Sequence, residues 1–164
     1  MTDINDREIK LDRMRYIKNT SSSRLCYLAI LLDVLYFISI YKSDVGSWYY
    51  QILIGASIVY NLLFLLMTFL SSEGVKNYQK NFSLLLCFLA VIQVVRIFIL
   101  PTQAHQAVLK IGGEETQVMQ NPQFIRCVIY LACSAVCLAA AGVINLRKST
   151  ALEKHIGTIG KEAA

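Results

Sequence analysis

Residues Phe82 to Leu100 read FSLLLCFLAVIQVVRIFIL, a run whose only strongly polar members are Ser83, Gln93 and Arg96. As a helix rising 1.5 Å per residue it covers about 28 Å, close to the roughly 30 Å of hydrocarbon in a bilayer. Three further apolar blocks of similar length flank it, at about 25–41, 51–70 and 125–146. Over 164 residues the chain is 55% hydrophobic and only 16% charged, a balance too apolar for an ordinary soluble domain. The mean hydropathy of +0.49 points the same way. The pattern predicts an all-α integral membrane protein, a bundle of four transmembrane helices in a lipid bilayer. Residues 1–24 form a polar N-terminal segment, 25–146 the transmembrane domain and 147–164 a polar tail.

Charge sets the expected orientation. Of the 16 Lys and Arg residues, six precede the first span, two lie between spans two and three, and four follow span four. Lys42 and Lys110 alone occupy the other two connections. By the positive-inside rule both termini are cytosolic, in a plasma or inner membrane. The net charge of +5 is absorbed by this asymmetry, so no nucleic-acid partner is expected. A polar segment of more than twenty residues precedes the first apolar block, which is the wrong order for a cleaved signal, so that block stays as a span.

The segments between spans carry their own signals. Opposite charges four apart, Asp3 with Arg7 and Asp6 with Lys10, predict a short surface helix in the N-terminal segment, suited to solvation or contact with a partner. Asn19 to Ser23, NTSSS, reads as a break and helix cap. A short turn at 42–47 leads to Trp48, Tyr49 and Tyr50, rings suited to the headgroup level. Pro101 is expected to stop span three. Beyond it, Ala104, Ala107, Val108 and Ile111 have helical spacing, whereas Gly112-Gly113 could turn a hairpin. The helix is the preferred reading, because an isolated hairpin is marginal in water. After span four the helix is expected to run on through Arg147, Lys148 and Lys154 and end near Gly157.

No catalytic pattern stands out. The five cysteines, Cys26, Cys87, Cys127, Cys133 and Cys137, lie in or beside the apolar blocks and form no CxxC, so they read as small hydrophobes, not redox or metal ligands. His105, in the long outer loop, and His155, in the C-terminal helix, are expected to face water. No Ser-His-Asp set, HExxH, P-loop or GxGxxG occurs, and no cofactor or metal is implied.

Polar groups inside hydrocarbon are costly, and four stand near the middle of spans: Asp33, Asn61, Gln93 and Arg96. Tyr36 shares a helix face with Asp33, Ser57 shares one with Asn61, and Ser134 lies at similar depth. Counting depth places Asp33 and Arg96 about 9 Å apart along the membrane normal, within reach of a long Arg side chain. Two readings follow. Either the role is structural, with Asp33 and Arg96 neutralising one another or Arg96 snorkelling to the outer headgroups while Asp33 stays protonated among amides, or Asp33 is a proton- or cation-coupled site. In span four, Ala135, Ala139 and Gly142 form a small-residue face for close helix packing.

The function these features imply is non-enzymatic. The chain reads as a small integral subunit or accessory protein of a larger membrane complex, plausibly a transporter, contacting other membrane subunits or itself. The alternative is a small-molecule or ion transporter or channel, acting as a homo-oligomer through the mid-membrane polar cluster.

Overall fold

A computed structural model describes residues 2–41, 51–106, 108–111 and 114–162. Its elements are α1 (Thr2–Met14), α2 (Thr20–Ile40), α3 (Gln51–Lys76), α4 (Lys80–Gln106), β1 (Val108–Ile111), β2 (Glu114–Gln117) and α5 (Asn121–Glu162). Helices α2 to α5 are all long and apolar enough to cross a membrane, and the chain is a helical membrane bundle. Large side chains point outward along them, among them Leu62, Phe88, Phe98 and Val136, each more than 60% exposed. Lipid, being as apolar as these side chains, is the solvent such a surface needs.

Cys26, Ala29, Asp33, Tyr36 and Ile40 are buried at intervals of three and four, so α2 presents a single inward stripe that carries the carboxylate with it. Neighbouring helices run antiparallel. At one end the Asn19 amide donates to the Lys76 carbonyl at 3.0 Å, and Asn145 Nδ2 donates to the Gln79 carbonyl at 3.2 Å and to Ser83 Oγ at 2.7 Å. At the other end Gln123 Nε2 donates to the Ser39 carbonyl at 2.6 Å. Helix α5 packs most extensively on α4 and α2, while α3 lies against α2 and makes a smaller contact with α4.

The expected cap at Asn19 takes a different form. Asn19 flanks the first turn of α2 without a side-chain cap bond. Its Nδ2 instead reaches Ser22 Oγ at 2.8 Å and Asn145 Oδ1 at 2.9 Å, and its Oδ1 accepts from Lys148 Nζ at 3.0 Å. A residue suited to ending a helix thus ties α2 to α5. The small-residue face of α5 is occupied within the chain. A Cβ added at Gly142 would sit 2.8 Å from Cys87 Sγ and 2.9 Å from the Ser83 carbonyl oxygen, both on α4. Ala135 is also buried, and Ala139 packs on the core cluster.

Three expectations are corrected. Pro101 does not stop the helix; it lies inside α4, which runs on to Gln106. Proline lacks the N–H that would pair with the carbonyl four residues back, here Ile97. Thr102 Oγ1 donates to that carbonyl at 2.8 Å and restores the missing bond. Downstream, the preferred interfacial helix is replaced by a hairpin in which Val108 pairs with Gln117 and Ile111 with Glu114. The hairpin is not isolated, because Val118 and Met119 at its base are buried against Tyr36, Ile40, Leu100 and Cys127. Finally, α5 continues through Gly157 to Glu162.

The N-terminal helix forms and rests against the far part of α5. Asp12 pairs with Arg15 at 3.3 Å, and Lys80 pairs with Glu153. The turn at 42–47, the aromatic trio Trp48 to Tyr50, Gly112-Gly113 and the side chains of Asp3 and Arg7 lie outside the described residues.

Candidate functional site

The centre of the bundle holds a polar network drawn from all four long helices. Arg96 Nη1 of α4 donates to Asp33 Oδ1 of α2 at 2.7 Å, with the carboxylate residue 1% exposed and the arginine 6%. Gln93, one turn before Arg96, donates through Nε2 to the same Asp33 oxygen at 3.1 Å and to Ser134 Oγ of α5 at 3.1 Å. Ser134 Oγ in turn donates a hydrogen bond to the Ala29 carbonyl at 3.3 Å. On the α3 side, Arg96 Nη2 donates to Asn61 Oδ1, and Asn61 Nδ2 donates to the Ser57 carbonyl at 2.9 Å. Asp33, Asn61, Gln93, Arg96 and Ser134 therefore converge. Ser57 joins through its backbone, and Tyr36 through its ring.

Two aromatic rings flank the guanidinium. Arg96 Cζ lies 4.4 Å from the centroid of Tyr36 and 5.1 Å from that of Tyr60. Cation–π contact of this kind stabilises a desolvated arginine where few water molecules can. Tyr60 was not singled out from the sequence, although it lies one turn beyond Ser57 on α3 and precedes Asn61. The rule that placed Ser57 beside Asn61 could have found it.

The ion pair cancels its own charge, and the amides occupy most of the remaining hydrogen-bonding positions. Three buried polar atoms complete no hydrogen bond of ordinary geometry within the network: Asp33 Oδ2, Tyr36 OH and Tyr60 OH. Two cavities lie beside them. One, of about 180 Å³, is bounded by Tyr36, Ser57 and Tyr60 on one side and Ile92, Arg96 and Leu100 on the other. The second, of about 80 Å³, lies between α2 and α3 against Asp33, Phe37, Asn61 and Leu65. The arrangement can hold a neutralised charge pair and offer hydroxyl donors to a small guest. It sets no nucleophile beside a base.

A second polar cluster, at the Asn19 end, escaped sequence reading. Asn145, Ser83, Ser22 and Asn19 are all buried there. Its signal was an asparagine inside the apolar block of span four.

Elsewhere the histidines depart from expectation. His105 is the penultimate residue of α4, stacked on Phe124 with centroids 4.6 Å apart, and its Nδ1 lies 3.2 Å from the Met119 carbonyl. It helps anchor the hairpin base and is not free in a loop. His155 is tucked between α5 and α1, its side chain 14% exposed and its Nε2 3.8 Å from Asp12 Oδ1. Among the described residues the cysteines are free thiols, with Cys26 and Cys127 buried and Cys133 facing outward. No cluster of three or more His, Cys, Asp or Glu that could hold a metal occurs among those residues. No known family, curated protein or solved structure matches the chain.

Proposed function

We propose that this protein is a small integral subunit or accessory protein of a larger membrane complex, held in the plasma or inner membrane with both termini in the cytosol. The observation that carries this reading is the length of α5. Its 42 residues span about 63 Å, twice what the hydrocarbon requires. The part beyond Leu146 and α1 beside it together make an arm outside the bilayer. On that arm Ile9 and Ile156 are 47% and 46% exposed. Apolar side chains exposed to water, beyond the reach of lipid, are a surface suited to a protein partner.

The test is purification from the native membrane in nanodiscs, with mass spectrometry of proteins recovered at fixed stoichiometry. A constant membrane partner that is lost from the Ile9→Glu/Ile156→Glu double variant, while the bundle stays folded, is the expected result. A pure homo-oligomer, unchanged by those substitutions, would overturn it.

A second reading, a homo-oligomeric transporter or channel, is favoured by one observation: Asp33 Oδ2 is unpaired beside the smaller cavity. In that case Asp33→Asn abolishes proton-coupled flux in proteoliposomes. In the first reading the same variant alters stability and leaves no flux to lose.

A further inference from the structure

The larger cavity combines three features that together define a ligand chemistry. Size comes first. About 180 Å³ is modestly larger than the roughly 150 Å³ of an apolar protein cavity that accepts benzene, so a substituted six-membered ring fits. Its walls come next. Ala56, Ile92, Ile99 and Leu100 are apolar, and Ile99, 49% exposed, is a wall residue that also faces the lipid. Helices α3 and α4, which supply most of the lining, make the thinnest contact between neighbours in the bundle. A guest can therefore enter sideways from the membrane and leave a tail among the acyl chains.

The third feature is polarity without net charge. Tyr36 and Tyr60 line the cavity, and each carries a hydroxyl with no hydrogen-bond partner of ordinary geometry. Tyr36 is completely buried. A buried hydroxyl left unsatisfied is destabilising, and a guest that accepts its proton relieves that penalty. Arg96 also borders the space, but its charge is neutralised by Asp33 at 2.7 Å. An anion would find no uncompensated positive charge and would have to lose its hydration to enter. A neutral acceptor faces no such cost.

We propose that the cavity between α2, α3 and α4 binds a neutral, membrane-dissolved ring compound bearing a carbonyl acceptor, of benzoquinone class and size, with Tyr36 and Tyr60 donating to it. The site holds the ring at the level of the buried ion pair and lets any aliphatic tail lie between α3 and α4 in the bilayer. This assignment stands whether or not the arm has a partner.

The test uses the full chain in nanodiscs and a radiolabelled benzoquinone carrying a ten-carbon tail, with protein-free discs as the measure of partition into lipid. The expected result is saturable retention of one quinone per chain. The Tyr36→Phe/Tyr60→Phe variant keeps the rings and loses the donors, and should weaken retention at least tenfold. Ala56→Phe fills the cavity from its lining and should abolish retention. Competition identifies the chemistry: decylbenzene, which has the ring and tail but no carbonyl, should compete poorly, as should decanoate. Retention no greater than in empty discs would mean the cavity holds water only and would overturn the proposal. So would unchanged affinity in the double Phe variant, equal competition by decylbenzene, or stronger competition by decanoate.

Discussion

Asp33 and Arg96 show how an expensive pair of residues is kept in a membrane. Each charge alone would be prohibitive at that depth, and the pair persists because carboxylate, guanidinium, two amides and two aromatic rings meet in one place. Replacing Arg96 with Met should therefore cost about 3–5 kcal/mol, because Asp33 is left buried without its counter-charge. The Asp33→Asn/Arg96→Gln double variant should recover much of that loss, since it removes both charges and keeps polar atoms for Gln93 and Asn61. Unfolding in mixed micelles by SDS titration measures both, and additive losses in the double variant would contradict a coupled pair. The polar centre was legible at this scale because each of its members interrupts an otherwise apolar span. Tyr36 and Tyr60 were harder to read as a pair, since a tyrosine in an apolar block breaks no pattern, and only the packing of α2 against α3 brings both rings to one guanidinium.

Among the elements, the four spans were plain in the sequence because twenty apolar residues admit little but a membrane helix. Their inward faces were legible only where a polar residue such as Asp33, Asn61 or Gln93 marks them, because the remaining lipid-facing and core-facing positions are similarly apolar. On α2, exposed Leu31 and Ile38 are as apolar as buried Ile40, and of the residues near mid-span only Asp33 stands out on the inward side. The long connection was misread for local reasons. Pro101 was weighed without Thr102, and the hairpin without the buried Val118 and Met119 that hold its base. Thr102→Val removes the donor that serves the Ile97 carbonyl, so hydrogen exchange over 101–106 should quicken while the rest of α4 is unchanged. Gly142→Val has a different reach. With α4 backbone only 2.9 Å from the added Cβ, the two helices must separate, at a cost of about 1–3 kcal/mol. The same SDS titration reads it, and Cys87→Ala should relieve only the part due to the sulfur, 2.8 Å away.

At the scale of the whole molecule, the antiparallel order of four spans puts the arm and the hairpin at opposite ends of the bundle. Positive charge on the arm side places that end in the cytosol under the proposed orientation. In a chain stripped of its native cysteines, Gln117→Cys should react with an impermeant maleimide added to intact cells, and Thr158→Cys only after the membrane is opened. The reverse pattern would invert the proposed orientation and leave the fold as it is. The connection between α5 and the bundle has a mechanical meaning as well. No break separates the part of α5 within the membrane from the part outside it. The helix is thus a rigid lever, fixed to the bundle by its contacts with α2 and α4. The portion beyond Leu146 is about 24 Å long, so a 10° change in tilt, within the range by which spans adapt to bilayer thickness, sweeps its tip through about 4 Å. A change in lipid thickness that tilts the bundle as one body would therefore reach a neighbour bound to that tip as a displacement.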